Sequence, residues 1–312
     1  MRKFIGYFRQ FFKEDFHWPT YLAVAIALTA YIIFNYQTRF EYTNIYKHMR
    51  SDTLVWWLFG YYAANYFGAC LLVAIMRREW HWIKNPKFWM FGILATGLLA
   101  FDTGFIYHHD WLRAHAPVEL RYWLGKIISN TISIVTHLIP LFFIWKLLDR
   151  KTENFYGLTV KNVDWKLYWT MLGFMAVLVG LASFHPSFYE FYPIYKPRSE
   201  SEFLQVPIWL TNLAFELAYG FDFITVEHML RGFMVIGMAQ IMGPRAVVPM
   251  AALYCTYHFS KPAGEAISSI FGGYILGVIA LYSRNVWGGV FVHMGIAWLM
   301  EIAAYIQNYF RN

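Results

Sequence analysis

The chain has 312 residues, of which 58% are hydrophobic, 21% aromatic and only 14% charged. Soluble domains carry about 25% charged residues, so this composition excludes an ordinary soluble domain and indicates a polytopic membrane protein. The 26 Lys and Arg against 19 Asp and Glu give a net charge of +7. These basic residues lie in short loops between apolar runs, so membrane topology explains them better than nucleic-acid binding, and membrane lipids are the expected partners. The composition predicts an all-α, polytopic transmembrane helix bundle.

Apolar runs that are long enough to cross a bilayer, at about 20 residues per crossing, recur along the chain. The predicted spans are 19–37, 54–76, 88–107, 123–147, 167–186, 208–242, 246–260, 267–283 and 286–308. The run at 208–242 is too long for one crossing and the next run is short, so an interfacial helix, a tilted helix or a break is expected there. The prediction is a bundle of eight or nine helices.

The chain divides into three predicted regions. Residues 1–18 combine four basic residues with aromatic ones and lack the apolar core of a signal peptide, which predicts an amphipathic helix on the membrane surface. Residues 19–206 hold the first five spans, which carry few ionisable side chains, whereas residues 207–312 carry nine ionisable side chains in or beside apolar segments. A charge at membrane depth costs several kcal/mol unless it is paired or hydrated, so the chemistry is expected in the third region.

The distribution of Lys and Arg predicts the topology. Twelve lie in the N-terminal segment and in the loops at 77–87 and 148–166, against seven in the intervening loops. The positive-inside rule therefore predicts a cytoplasmic N-terminus, and we expect the cytoplasmic membrane of a bacterium. The two cysteines, Cys70 and Cys255, lie in apolar runs and form no disulfide or metal-binding pattern.

The segment VEHMLRG at 226–232 places a carboxylate and a guanidinium four residues apart in an apolar run. On an α-helix Glu227 and Arg231 share a face, and their pairing would keep the carboxylate ionised in hydrocarbon. A purely structural ion pair is an equally good interpretation of these two residues alone. His228 lies about 100° around the helix from Glu227, which favours a supporting or structural role.

Two histidines follow on the next apolar runs, His258 after YCTY at 254–257 and His293 after WGGVFV at 287–292. Each alone is typical of a hydrogen-bonded core residue. Together with Glu227 they could activate water, because a carboxylate and an imidazole can take its proton while a second imidazole stabilises the oxyanion. The same three side chains could instead ligate a divalent metal such as zinc. The sequence leaves both mechanisms open.

The order of these elements resembles the CPBP family of intramembrane proteases, which contains CAAX-processing endopeptidases and bacteriocin-processing enzymes and is also called Abi. The family motifs are EExxxR, FxxxH and HxxxN or HxxxD on consecutive helices, and the resemblance covers residues 215–305. By this resemblance, five residues correspond to motif positions: Glu227 and Arg231 in the first motif, Tyr254 in place of Phe and His258 in the second, and His293 in the third.

Two positions depart from the family pattern. Val226 stands where the family has its first Glu, usually taken as the catalytic base, and Ala297 stands where the last motif has Asn or Asp. The resemblance then gives Glu227 the role of base or of orienter of the water. Glu301 lies one turn beyond Ala297 on the His293 face and is a possible supporting residue.

Other residues have structural interpretations. Glu265 lies near the start of a helix, where the helix dipole favours a carboxylate. We expect Glu265 to cap this helix. Gly273 and Gly277 form a small-xxx-small pair that predicts close helix approach. The four residues His108, His109, Asp110 and His115 form a predicted loop cluster, interpreted as adventitious histidines because it lacks strict ligand spacing.

The sequence thus predicts an intramembrane endopeptidase that hydrolyses a peptide bond of a membrane-associated substrate, a peptide or a lipidated protein. Glu227 would act as base or orienter, His258 would share the water, His293 would stabilise the oxyanion, and Arg231 would keep the carboxylate ionised. The alternative is a catalytically inactive membrane protein of the same fold, acting in immunity, scaffolding or complex assembly. A proton-coupled transporter explains less of the motif order.

Overall fold

A computed structural model describes residues 2–49, 51–150, 152, 154–161 and 163–311. Arg50 and Lys151, two of the basic residues in the topology comparison, lie outside the described residues, as do both terminal residues. The protein is 83% helical, and the described part of the chain contains no strand. The predicted all-α class is confirmed.

Fifteen helices are labelled here in chain order. They are α1 Arg2–Asp15, α2 Trp18–Thr38, α3 Leu54–Arg77, α4 Pro86–Gly104, α5 Tyr107–His115, α6 Val118–Thr131, α7 Ile139–Leu148, α8 Trp165–Ala182, α9 Pro186–Phe191, α10 Glu200–Phe203, α11 Ile208–Glu227, α12 Ala239–Met242, α13 Val247–Tyr257, α14 Ala263–Ser283 and α15 Trp287–Arg311. Three π-helical segments occur among them, Glu41–Ile45, Ile134–Leu138 and His228–Gly237, with short 3-10 turns at Tyr46–His48 and Gly243–Ala246.

Eight helical segments of the described chain are long and apolar enough to cross a membrane. They are Trp18–Thr38, Leu54–Arg77, Pro86–His115, Val118–Leu148, Trp165–Ala182, Ile208–Tyr257, Ala263–Ser283 and Trp287–Phe310. The count agrees with the predicted eight or nine, and the multi-pass membrane assignment is confirmed. The predicted runs 208–242 and 246–260 form one segment of 50 residues. Its irregularity is a change from α- to π-helix after Glu227, followed by a 3-10 turn.

The chain forms two compact units that are interleaved in sequence. The first unit contains Met1–Gly104, Pro140–Val163 and His228–Trp287, and the second contains Phe105–Ile139, Asp164–Glu227 and Gly288–Asn312. The chain therefore passes from the second unit to the first between Glu227 and His228, inside the first motif. The division at residues 18 and 206 stays a prediction.

Glycines allow close helix packing inside the first unit, where α13 and α14 are neighbours. A Cβ at Gly273 would lie 3.0 Å from Cδ1 of Tyr254, and one at Gly277 would lie 3.0 Å from Cε of Met250. Both distances are too short for an ordinary side chain, so the two glycines let α14 approach α13 closely. The small-xxx-small prediction is confirmed, and the packing fixes the helix that leads to His258.

The amphipathic helix α1 is attached to the first unit by buried charge. Asp15, only 2% exposed, forms an ion pair with Arg77, with Oδ1 and Nη2 3.1 Å apart. Arg245 donates from Nε and Nη2 to the two carboxylate oxygens of Glu79, each at 3.0 Å. Burial raises the pKa of Asp15 above its usual value, whereas the hydrogen bonds from Arg245 lower the pKa of Glu79. Burial of Asp15 thus outweighs its contact with Arg77, whereas Arg245 links Glu79 to α1, because its Nη1 donates to the carbonyl oxygen of Glu14 at 2.9 Å.

In the second unit α11 packs against α15. Nε1 of Trp298 donates to the carbonyl oxygen of Glu216 at 3.0 Å, and a Cβ at Gly220 would overlap the Trp298 ring. Ala297, the residue before Trp298 in α15, is 4% exposed and packs among aromatic side chains. A glycine opposite an indole thus lets α11 and α15 approach closely.

The predicted loop position of the cluster His108, His109, Asp110 and His115 is wrong, because Tyr107–His115 form helix α5. Nε2 of His108 lies 2.9 Å from Oγ of Ser129, and Asp110 pairs with Arg113 in the same helix. Asp110 and Arg113 thus form an i,i+3 ion pair of the kind that is common on exposed helix faces.

Candidate active site

Glu227 and His293 are hydrogen-bonded inside the second unit. Glu227 is the last residue of α11 and is fully buried, and His293 lies in the second turn of α15 with 15% of its side chain exposed. Oε1 of Glu227 and Nδ1 of His293 are 2.9 Å apart. Since an ionised carboxylate can only accept, the ring donates through Nδ1–H, and Nε2 becomes its basic nitrogen. Residues of the first and third motifs therefore meet.

Two glycines at the start of α15 make this contact possible. A Cβ at Gly289 would overlap Oε2 of Glu227, and a Cβ at Gly288 would overlap the ring of Tyr168. The Phe223 ring, one turn before Glu227, packs against the His293 ring at a centroid distance of 4.3 Å. Sequence reasoning missed these positioning residues, although a glycine pair opening a helix was an available signal, since glycine there lowers helix stability.

Arg231, Tyr254 and His258 come together inside the first unit. The guanidinium carbon of Arg231, a residue only 1% exposed, lies 4.3 Å from the centroid of the Tyr254 ring. The same ring contacts the His258 ring edge to face, with centroids 4.4 Å apart. Tyr254, which replaces the motif Phe, thus keeps an aromatic face for a cation–π contact with the arginine.

His258 follows the last residue of α13 and is 6% exposed. Its Nδ1 lies 2.8 Å from the carbonyl oxygen of Tyr254, and since a carbonyl only accepts, Nδ1 carries the hydrogen. In the neutral ring Nε2 is then an acceptor, so it can take a proton from water, and it can donate to an oxyanion only as imidazolium.

The first motif is not uniformly α-helical. Residues 228–237 form a π-helix, in which hydrogen bonds run from i to i+5. The shared face of Glu227 and Arg231 was predicted from the α-helical period, and that assumption is wrong for this segment. Such π-helical insertions occur frequently at functional sites, because they re-aim side chains within a continuous helix.

A left-handed turn at Asn154–Gly157 packs against this π-helix in the first unit. Nε2–H of His228 donates to the carbonyl oxygen of Phe155 at 2.9 Å, and a Cβ at Gly232 would lie 2.7 Å from the carbonyl oxygen of Tyr156. The φ angle of Tyr156 is 54° and that of Gly157 is 84°. Backbone in this region costs energy for residues other than glycine, so the contacts with the π-helix support the turn.

Comparison with protein-family models gives a match in this part of the chain. Residues 207–299 match the family model described as type II CAAX prenyl endopeptidase Rce1-like. This segment is Rce1-like. The match spans less than a third of the chain, contains all five motif residues, and confirms the resemblance to CAAX-processing proteases. Neither the curated proteins nor the solved structures include a significant match.

Two carboxylates near the Rce1-like motifs have other partners. Glu301, 1% exposed, accepts at Oε1 from the backbone N–H of Ile194 at 3.0 Å. Oε1 of Glu265 lies 2.6 Å from Nζ of Lys261, so this carboxylate forms an i,i+4 ion pair in the first turn of α14. The contact of Glu301 connects α15 to the segment after α9, in the second unit.

The zinc alternative depends on how many ligands the side chains can offer. Among the described residues, no group of three or more His, Cys, Asp or Glu side chains is placed to hold a metal ion. Catalytic zinc requires three protein ligands. The described side chains of the Rce1-like segment therefore do not fit this ion, and they suit activation of a water molecule better.

Proposed function

We propose that the protein is an intramembrane endopeptidase that hydrolyses a peptide bond in a membrane-associated protein. The observation that carries the proposal is the 2.9 Å hydrogen bond between Glu227 and His293 inside the Rce1-like segment. A buried carboxylate that orients an imidazole is a recurrent arrangement for general acid–base catalysis, because it fixes the tautomer and stabilises the imidazolium that forms.

Exposure decides which of the two groups meets water. The Glu227 side chain is fully buried, whereas 15% of the His293 side chain is exposed. We therefore assign the base to His293 and the orienting role to Glu227, whereas the sequence interpretation gave His293 the oxyanion. The difference arises from burial, which the sequence does not contain.

The reaction then follows from the ring nitrogens. Nε2 of His293 accepts a proton from water as the water oxygen attacks the carbonyl carbon of the substrate, and the Glu227 carboxylate stabilises the resulting imidazolium. The imidazolium returns the proton to the leaving nitrogen as the C–N bond breaks. The products are a carboxylic acid and an amine, so atoms and charges balance.

The roles of His258 and Arg231 stay predictions. The basic Nε2 of neutral His258 suits a residue that accepts from the attacking water, as the sequence predicted. Arg231 is a buried cation next to the Tyr254 ring. Substitution His258→Gln tests the first role, because loss of kcat at unchanged KM is expected for a group that acts only in the transition state.

The substrate class is inferred from the match. The matched description names a CAAX prenyl endopeptidase, so we propose a peptide or protein that is held at the membrane by a lipid. Two of the eight candidate spans, Ile208–Tyr257 and Ala263–Ser283, lie wholly in the Rce1-like segment, and a third, Trp287–Phe310, begins in it. A lipid-anchored peptide would be concentrated in the same bilayer.

The test is peptidase activity of the purified full chain in lipid vesicles, measured with internally quenched peptides that carry or lack a lipid. We expect cleavage by the wild type, and a loss of at least roughly 1000-fold in kcat/KM for Glu227→Gln, since an amide does not hold the imidazolium. Glu190→Gln, outside the motifs in the same unit, is the matched control and should keep full activity. Equal activity of Glu227→Gln and the control would overturn the proposal.

Val226 and Ala297 favour a second candidate, the inactive protein of the same fold. If the folded wild type cleaves no peptide, Val226→Glu combined with Ala297→Asn restores the family pattern. Cleavage gained by this double variant would identify the natural chain as catalytically inactive.

A further inference from the structure

A cavity of about 700 Å³ lies in the first unit, outside the Rce1-like segment. It is bordered by α2, the π-helix Glu41–Ile45 and α3, and its walls are mostly aromatic. The main lining side chains are Tyr31, Phe40, Trp56, Trp57 and Tyr61. Ligand pockets are of this size, and this one is largely open, so a flexible chain can enter it.

Two polar side chains of the lining, Asn65 and Tyr61, have partners inside the protein. Nδ2 of Asn65 donates to the carbonyl oxygen of Tyr61 at 2.8 Å. The Tyr61 hydroxyl donates to the carbonyl oxygen of Thr256 at 3.2 Å. These polar atoms are thus engaged, and the remaining surface of the cavity is mainly apolar. Its chemistry favours a hydrocarbon chain over a polar ligand.

The cavity lies at the end of two predicted spans, beside exposed tryptophans and basic residues. Trp56, in the first turn of α3, is 72% exposed, and exposed tryptophans of this kind mark the membrane–water interface. Arg39 directly precedes the lining residue Phe40, and Lys47 follows the π-helix by two residues. Basic residues at this level attract anionic lipid headgroups.

We propose that this cavity binds one acyl chain of an anionic phospholipid, whose phosphate contacts Arg39 and Lys47. The apolar lining accounts for the chain, and the flanking cations account for the charge of the headgroup. The bound lipid fills the space at the α2–α3 connection and completes the packing of that part of the first unit.

The site is connected to the segment that carries His258. The hydroxyl of Tyr61, a residue in the wall of the cavity, donates to the carbonyl oxygen of Thr256. The ring of Tyr31 packs edge to face on the Phe259 ring, with centroids 5.2 Å apart. Lipid occupancy should therefore stabilise the end of α13. An effect on catalysis would rest on the proposed function, whereas lipid binding itself does not.

Two glycines of α3 provide a matched pair of variants. Gly60 lines the cavity, and no atom lies within 4 Å of the point that a Cβ would occupy there, so Gly60→Leu extends into the space. Gly68, eight residues later in the same helix, also has open space but does not line the cavity. Both leucines raise helix propensity equally, and only Gly60→Leu should displace the acyl chain.

The experiment uses the purified full chain in detergent with phosphatidylglycerol or phosphatidylcholine, each carrying a photoreactive group on the acyl chain. We expect phosphatidylglycerol to crosslink within residues 54–65, with Gly60→Leu lowering the yield roughly tenfold and Gly68→Leu leaving it unchanged. Arg39→Gln with Lys47→Gln should abolish the preference for phosphatidylglycerol, whereas Lys84→Gln, a lysine elsewhere in the unit, should preserve it.

Three outcomes would overturn the proposal. They are equal crosslinking in the two leucine variants, equal yields for the two lipids with the wild type, and displacement of the phospholipid by a lipidated peptide, which would make the cavity a substrate site. If lipid binding follows the expected pattern while the protein cleaves no peptide, the proposed function fails and the lipid site stands.

Discussion

At the scale of single residues, the missing side chain of Gly289 determines where the Glu227 carboxylate can lie. Gly289→Ala places a methyl group on Oε2 of Glu227, which must then turn away from its present position. Because the hydrogen bond to His293 depends on that position, we expect peptidase activity to fall at least roughly tenfold. The measurement is kcat and KM with the quenched peptide.

A glycine in open space provides the control for this substitution. Gly272, in the interior of α14, has no atom within 4 Å of the point that a Cβ would occupy. Gly272→Ala should keep full activity and gain up to about 1 kcal/mol from helix propensity. Unchanged activity in both variants would show that Gly289 does not position Glu227.

Tyr254 joins the first and second motifs through its ring. Tyr254→Leu removes the cation–π contact with Arg231, and a contact of this kind in a desolvated place contributes about 2 kcal/mol. We expect Tyr254→Phe to cost clearly less, since the ring remains, as in the family motif. Chemical denaturation in detergent measures both variants. Equal losses would assign the contribution to the hydroxyl instead of the ring.

At the scale of elements, the π-helix His228–Gly237 depends on a close backbone contact. Gly232→Ala brings a Cβ to 2.7 Å from the carbonyl oxygen of Tyr156, and backbone atoms cannot give way as a flexible side chain can. Overpacking of this kind costs about 1–3 kcal/mol. Gly264→Ala, with open space in the first turn of α14, is the control and should not lower the free energy of unfolding.

The attachment of α1 should depend on pH in two opposite steps. Burial raises the pKa of Asp15, so its ionisation lowers stability, and acidification through that raised pKa strengthens the attachment. The pKa of Glu79 is lowered by Arg245, so its contribution is present above the ordinary carboxyl pKa and is lost as the pH falls through the lowered value. Mild acid should therefore tighten α1, and stronger acid should release it.

The fluorescence anisotropy of a dye on Lys13→Cys, at an exposed position of α1, measures this attachment. Glu79→Gln should remove the loss in stronger acid and keep the gain in mild acid. A variant profile that still shows the acid-side loss would contradict the role of Glu79. Both native cysteines are buried, so the dye reports on α1 alone.

At the scale of the whole molecule, the topology is the open prediction, and the same buried cysteines make it measurable. With a cytoplasmic N-terminus, residues between α2 and α3 face the opposite side, and residues between α3 and α4 face the cytoplasm again. An impermeant maleimide added outside intact cells should label Lys47→Cys and leave Lys84→Cys unlabelled. The reverse pattern would invert the membrane orientation.

The sequence predicted most of the architecture because hydrocarbon allows few solutions. A chain in lipid must pair every backbone group, so apolar runs of sufficient length become helices, and their number could be counted directly. The prediction of a loop at His108, His109, Asp110 and His115 was wrong because their polar composition resembles a turn, although they lie in the helix α5. Polar helices of this kind depend on packing partners that a single sequence does not reveal.

Motif spacing likewise identified Glu227 and His293 as candidates, since buried ionisable residues are rare enough in membranes to be conspicuous in one sequence. Their division of labour depended on the tertiary structure, because burial and a 2.9 Å hydrogen bond decide which group meets water. The contact itself requires Gly289, because a Cβ at this position would overlap the Glu227 carboxylate. Composition and local order determined the class of the protein, whereas contacts between residues distant in sequence decided the geometry of the candidate site.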